Sequence, residues 1–268
     1  MSPNTKRGYL ICSTERTGSS LLALALHSTG VAGHPYEYFN PVLLHTPWMQ
    51  AILDGSAMLG PGIANIFDRG TTANGVFGVK LHWLHAKHLA QSLLNDDPLP
   101  TDLKFYLDAL SGPYELPEWL WDPNGVSFTC HLLQTRLPDL RFIWVKRRNA
   151  VARAISLYRA LHTGVWHREH HDAADTSAAP PFAYPQISAL RIIGSLQNAA
   201  WSQVFSELDV RPHVVWYEDL VHGYDETVRG VLNYLELDPP YWDPPGLEPQ
   251  ADMLSLEWEL RYRQQRRR

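Results

Sequence analysis

Apolar residues fall into short unbroken runs that alternate with longer stretches of helical spacing. The first run, 9–12, is too short for a helix and ends at the polar loop 13–20, so it reads as a buried strand. Leu21, Leu22, Leu24, Ala25 and Leu26 then open a helix over 19–29 that ends at Gly30. Residues 33–41, with two prolines, read as an ordered turn or extended segment. Further strands are expected at 76–83, 140–146 and 212–217. Helices are expected at 42–53, 84–94, 103–110, 126–137, 150–162 and 187–208, after Glu218-Asp219-Leu220 to about 235, and at 253–265. The stretches 55–75, 111–125 and 163–186 are irregular, and the last has the length of a lid or a subunit-contact loop. Strand–helix alternation without repeats predicts an α/β fold, a mostly parallel central sheet flanked by helices, in one domain over 1–268. Such sheets bind ligands at the carboxyl ends of their strands. The loop 13–20, Lys80, Arg147 and Tyr217 all fall there.

Composition narrows the partners. The 268 residues carry 45% hydrophobic residues and a net charge of −5, a globular balance that argues against a general nucleic-acid binder. No apolar leader or membrane-length run is seen, so no membrane insertion and a cytoplasmic location are expected. Cys12 and Cys130 fall inside a strand and a helix pattern and read as buried thiols, with no disulfide framework. Lysine occurs only at 6, 80, 87, 104 and 146, and the arginine-rich remainder suits anion recognition.

The chemistry gathers first in the loop Ser13 to Ser20. A strand–loop–helix layout aims backbone N–H groups and a helix N-terminus at one point, which favours an anion. Arg16 adds a planar donor fork, Gly18 permits close backbone approach, and Thr17, Ser19 and Ser20 offer hydroxyls to cap the helix or meet the anion. The loop lacks the glycine–lysine pair of the nucleoside-triphosphate P-loop. Lys146, Arg147 and Arg148 end the third strand, with Ser156 nine positions after Arg147, and offer a second anion site. A ligand with two separated anionic ends fits both.

Several segments carry a resemblance. Thr14 to Leu22, the run Thr29 to Phe39, Gly78 to Trp83, Arg147 with Ser156, Ser156 to Ala160, Val165-Trp166, Tyr217 to Leu220 and Gln250-Ala251-Asp252 span nearly the whole chain in order. In this arrangement they resemble the bacterial trehalose 2-sulfotransferase-like family. The resemblance implies a P-loop NTPase-like sulfotransferase fold. It implies 3′-phosphoadenosine-5′-phosphosulfate (PAPS) as sulfuryl donor, adenosine 3′,5′-bisphosphate as product, and a hydroxyl of a carbohydrate or other small polar metabolite as acceptor. Arg16, Thr17, Gly18, Ser19 and Ser20 would hold the 5′-phosphosulfate, Arg147 and Ser156 the 3′-phosphate, and Gln250 a place near the nucleotide. Glu37 matches the family's general base, and Pro35 with the flanking aromatics would desolvate it and raise its pKa. Lys80 would meet sulfuryl oxygens or a substrate hydroxyl, and Trp83 and Trp166 would stack on an acceptor ring. The relatives imply a homodimer. No metal is required, and the histidine groups 82, 85, 88 and 167, 170, 171 are not read as metal sites. A P-loop-like kinase and a non-catalytic nucleotide sensor are the alternatives.

Three positions depart from the family pattern. Glu15 stands where an amide is usual, and beside an anion site it must turn outward or pair with an arginine. His34 replaces an acid before Pro35, and Arg148 replaces a proline.

Overall fold

A computed structural model describes residues 7–40, 66–94, 117–166, 180–244, 246–247 and 252–267. The helices expected at 42–53 and 103–110 lie outside these residues, as do Gln250 and the histidines at 167, 170 and 171. Four strands are seen, β1 (Arg7–Ser13), β2 (Val76–His82), β3 (Leu140–Lys146) and β4 (His213–Trp216). The helices between and after them are α1 (Ser19–Ser28), α2 (Trp83–Leu94), α3 (Val126–Arg136), α4 (Ala150–Thr163), α5 (Tyr184–Glu207), α6 (Tyr217–His222), α7 (Tyr224–Tyr234) and α8 (Met253–Arg266). The sheet is parallel throughout, in the order β2-β1-β3-β4. Its first strand is therefore central, and the loop after β1 opens at the middle of the carboxyl rim.

Strand alternation divides the core. Tyr9 and Ile11 of β1 join Ile143, Val145 and Val215 in one cluster beneath α1 and α7. Leu10 and Cys12 point the other way, into a larger cluster with Phe142, Trp144, Trp201 and Phe205. Both cysteines are fully buried free thiols, which burial pushes up from their usual range. In β2, Phe77, Val79 and Leu81 join the larger cluster. The alternate residues Lys80 and His82, paired with Ile11 and Ser13, therefore face the α1 side. An anion loop and a cation-bearing strand thus meet over the same face of the sheet.

Three elements differ from the sequence expectation. Residues 66–70, expected in a loop, form a helical turn, because Ile66 and Phe67 are buried against Phe77. Tyr217 starts α6 instead of ending β4. The helix expected after Leu220 to about 235 is preceded by α6 and starts only at Tyr224, because the non-helical backbone of Gly223 separates α6 from α7. Asp225 and Glu226 then favour a fresh start by sitting in the first turn of α7. Among the described residues no helix is long and apolar enough to cross a membrane.

Candidate active site

The loop after β1 is shaped by two left-handed residues, Arg16 (φ 64°) and Gly18 (φ 83°). A non-glycine residue in that region is strained by about 1 kcal/mol or more, a feature concentrated at functional sites. Gly18 is the N-cap of α1, and a Cβ there would lie 2.6 Å from Cδ2 of Tyr217. The glycine thus accommodates an aromatic ring. That ring also carries the Arg147 guanidinium, 4.3 Å from its centroid. Arg147 donates to the Arg16 carbonyl (3.3 Å), while its own Nε is buried and has no hydrogen-bond partner among the described residues. Arg16 donates from Nε to Ser156 Oγ (2.9 Å) and from a terminal nitrogen to the Trp166 carbonyl.

Burial, and then the charge of Arg147, bring Arg16 down to about 10, and burial lowers Arg147 as well. Two desolvated guanidinium groups near each other favour an anion between or beside them. The two acids whose charge acts on Arg147, Glu218 and Glu259, also have other partners. Glu218 accepts the backbone N–H groups of Arg148 and Asn149, and Glu259 accepts from Asn149 and Arg263. The N-terminus of α1, with no side-chain cap, adds its unsatisfied N–H groups to the same rim.

Glu37 reaches the site on a segment laid along β2. Tyr9 donates to the Ala32 carbonyl (2.5 Å), the Lys80 amide donates to the Tyr36 carbonyl (3.0 Å), and Tyr36 bridges Val79 in parallel. Gly33 (φ 74°) makes this approach possible, since a Cβ there would lie 2.6 Å from the Gly78 amide nitrogen. The Glu37 carboxylate meets Lys80 Nζ at 2.7 Å and His82 Nε2 at 2.9 Å through Oε1, and accepts from Asn40 at 2.8 Å through Oε2. Lys80 also donates to Ser20 Oγ (2.6 Å), and His82 Nδ1 lies 2.9 Å from Ser13 Oγ. A continuous polar chain, Ser20–Lys80–Glu37–His82–Ser13, therefore links the first turn of α1 to the end of β1.

This network reverses the expected direction for Glu37. Burial acts to raise its carboxyl, but Lys80 and then His82 outweigh it and hold the group well below the ordinary carboxylate range. The sequence signalled the desolvating neighbours; it did not signal that two donors converge on one oxygen.

The other site residues are placed as follows. Trp83 does not face an acceptor: it is fully buried, edge-on to Trp201 in the core. Its position as the first residue of α2 turns it inward. Trp166 supplies its carbonyl to Arg16 while its half-buried ring packs against the larger cluster. Ser156 bonds to Arg16, so the two expected anion sites share Arg16 and form one rim. Thr17 donates its hydroxyl to the Thr14 carbonyl (2.9 Å), within the loop. Ser19 is buried, and Ser20 accepts from Lys80. Glu15 does not turn outward, being 9% exposed, and its backbone carbonyl accepts from Arg153 (3.4 Å). Arg148 forms a two-pronged pair with Asp219 (2.6 and 2.8 Å) on the surface. His85 is buried edge-on to His82, and burial brings it down to about 3. No group of three metal-ligating side chains occurs among the described residues.

Sequence reasoning missed His82, Ser13 and Asn40 as members of the Glu37 network. The signal for His82 was present: Lys80 and His82, two apart in a strand, share a face. The Ser13 and Asn40 contacts depend on register and on a local turn, which no spacing rule supplied.

Comparison with known proteins defines the class: the chain is a sulfotransferase. It belongs to the Stf0 sulphotransferase family, whose sequence model matches residues 8–113 and 124–265. It is 30% identical to the trehalose 2-sulfotransferase of Mycolicibacterium smegmatis, over 97% of this chain and 96% of that protein. It is 29% identical to the trehalose 2-sulfotransferase of Mycobacterium tuberculosis, over 96% of this chain and 94% of that protein.

Proposed function

We propose that the enzyme transfers the sulfuryl group of PAPS to a hydroxyl of a carbohydrate, with trehalose or a trehalose-like glycoside as the first candidate acceptor. The observation that carries this reading is the convergence of Arg16, Arg147 and the N-terminus of α1 on one rim, beside the Glu37–Lys80 pair. The buried, unpartnered Arg147 Nε and the hydroxyl of Ser156 fit a nucleotide with a second, 3′ anion. On this reading Arg16 and the loop N–H groups face the charge that develops on the leaving 5′-phosphate. The acceptor oxygen bonds to sulfur as the sulfur–phosphate oxygen bond breaks, and Glu37 takes the acceptor's proton. Lys80 stands between Ser20 and Glu37, in reach of both donor loop and base. The family resemblance supports a homodimer, which light scattering on the purified chain checks.

The test is nucleotide discrimination. Adenosine 3′,5′-bisphosphate at about 100 times its dissociation constant should stabilise the protein by about 2.7 kcal/mol. It should do so in preference to ATP at equal concentration. Arg147→Ala should weaken this nucleotide more than adenosine 5′-phosphate, which lacks the 3′ group. Equal losses for the two would remove Arg147 from a 3′-phosphate site. Equal stabilisation by ATP would remove the donor assignment.

A further inference from the structure

We infer that His82 is a positioning residue for Glu37: its Nε2–H holds Oε1 and leaves Oε2 as the oxygen that receives the acceptor's proton. This inference rests on the reading of Glu37 as the base.

The hydrogen bonds around the ring separate the two carboxylate oxygens. Glu37 Oε1 already has two partners, Lys80 at 2.7 Å and His82 at 2.9 Å, which fills its two lone pairs. Among the described residues Oε2 accepts only from Asn40, at 2.8 Å, which leaves it a lone pair for a hydroxyl. An ionised carboxylate only accepts, so the hydrogen between Glu37 and His82 sits on Nε2. Ser13 is fully buried, and its hydroxyl lies 2.9 Å from His82 Nδ1. A neutral ring accepts from Ser13 at Nδ1 and donates to Glu37 at Nε2; an imidazolium donates to both. Either state gives Glu37 the same donor.

This arrangement assigns His82 a different role from a base or a proton sink. Nε2 already carries hydrogen and points at Glu37, so it has no lone pair to take a proton from Glu37 or from the acceptor. The proton lost as the acceptor oxygen bonds to sulfur stays on Oε2, and the leaving phosphate keeps the electron pair of the broken bond. Among the described residues the charged and titratable groups facing Glu37 are Lys80 and His82 from β2 and His85 from α2, with the Asn40 amide from its own segment. Of these, Lys80 is also tied to Ser20, so His82 is the contact that ties Glu37 to the end of β1.

The experiment compares full-length wild type with His82→Leu, His82→Gln and Glu37→Gln. Glutamine at 82 keeps an N–H donor near the Nε2 position; leucine keeps bulk alone. Three readouts are used: turnover with PAPS and trehalose, calorimetric affinity for adenosine 3′,5′-bisphosphate, and carbon-13 titration of the Glu37 carboxyl. His82→Leu should lower kcat on the order of 10²-fold, the scale of a misplaced reacting group. It should leave nucleotide affinity and the KM for trehalose within about twofold. The Glu37 midpoint should rise by about one pH unit in His82→Leu. His82→Gln should restore at least about tenfold of the lost turnover and return most of that shift. Equal losses in the leucine and glutamine variants, or an unmoved Glu37 midpoint in His82→Leu, would overturn the inference. A Glu37→Gln enzyme that turns over like wild type would overturn the base assignment instead. The carboxyl titration needs no acceptor, so it decides whether His82 holds Glu37 even where trehalose is not turned over.

Discussion

Replacing Lys80 with methionine tests the electrostatic core of the site. The substitution keeps the aliphatic stem and removes an ammonium 2.7 Å from Glu37 Oε1, at side-chain exposures of 6% and 20%. At that separation the gross attraction is about 6 kcal/mol at an effective dielectric of about 20. Desolvation of the two charges offsets much of it, and removing one partner of a buried pair leaves a deficit of about 3–5 kcal/mol. Protonation limits the loss, because taking a carboxyl from its free pKa to neutral at pH 7 costs about 3.7 kcal/mol. With His82 still donating, Lys80→Met should lose about 3 kcal/mol at pH 7 in reversible urea unfolding. The pH dependence has a definite sign. The folded wild type holds Glu37 below its unfolded value, so this stability is present above the unfolded pKa and fades as pH falls through the folded one. The deficit of Lys80→Met should therefore be largest near pH 7 and shrink by about 1.4 kcal/mol per unit below about pH 4.3. In Lys80→Met/Glu37→Gln, most of the deficit should disappear, a coupling of about 2 kcal/mol in the double-mutant cycle. A deficit independent of pH, or a coupling under about 0.5 kcal/mol, would refute the pairing as an energetic unit.

Two further outcomes follow from the geometry. Gly18→Ala places a side chain at φ 83° and 2.6 Å from the Tyr217 ring, so it should lower stability by about 1–2 kcal/mol. It should also weaken adenosine 3′,5′-bisphosphate by about tenfold in calorimetry, and unchanged affinity would separate the Tyr217–Arg147 stack from the site. Asp252 caps α8 and pairs with Arg159 at 2.6 and 2.8 Å; its partners, Arg159 first, overcome burial and hold its carboxyl low. Because its side chain is 38% exposed, Asp252→Ala should lose only about 1 kcal/mol, chiefly the cap. That loss should be full above about pH 4 and fade toward lower pH, as thermal melts across the acid range would show.

What the sequence revealed depended on whether a property is local. The strand at 140–146 follows from an apolar run that ends at charged residues; it and the helix expected from Ala150 both stand in the structure, which adds an Asn149 cap to that helix. The parallel sheet followed from alternation alone, and with it the rim that gathers Arg16, Lys80 and Arg147. Direction was harder to read. Trp83, expected at the end of the second strand and to stack on an acceptor ring, instead starts α2 and is buried against Trp201. Ser156, expected with Arg147 at a second anion site, accepts from Arg16 of the first, a contact between positions 140 apart that no spacing rule supplies. The sign of the Glu37 shift was beyond local reading, because it depends on a long-range register that sets Lys80 and His82 under residue 37.

A carboxylate held this low is a weak base, and the polar chain explains how it still serves on the proposed reading. An acceptor hydroxyl becomes far more acidic once its oxygen has begun to bond to sulfur, so a proton that leaves late needs only a nearby, ionised acceptor. Position then matters more than basicity. Oε2 is available because Oε1 is doubly held, and Lys80 joins that hold to Ser20 in the first turn of α1. With the donor on the α1 loop as proposed, the same ammonium faces its negative charge as well as that of Glu37. Anionic donor oxygens near Lys80 oppose its attraction for Glu37 and raise the carboxyl. On that reading the base is weakest with the donor absent and strengthens as the donor binds, through one lysine shared between two halves of the site.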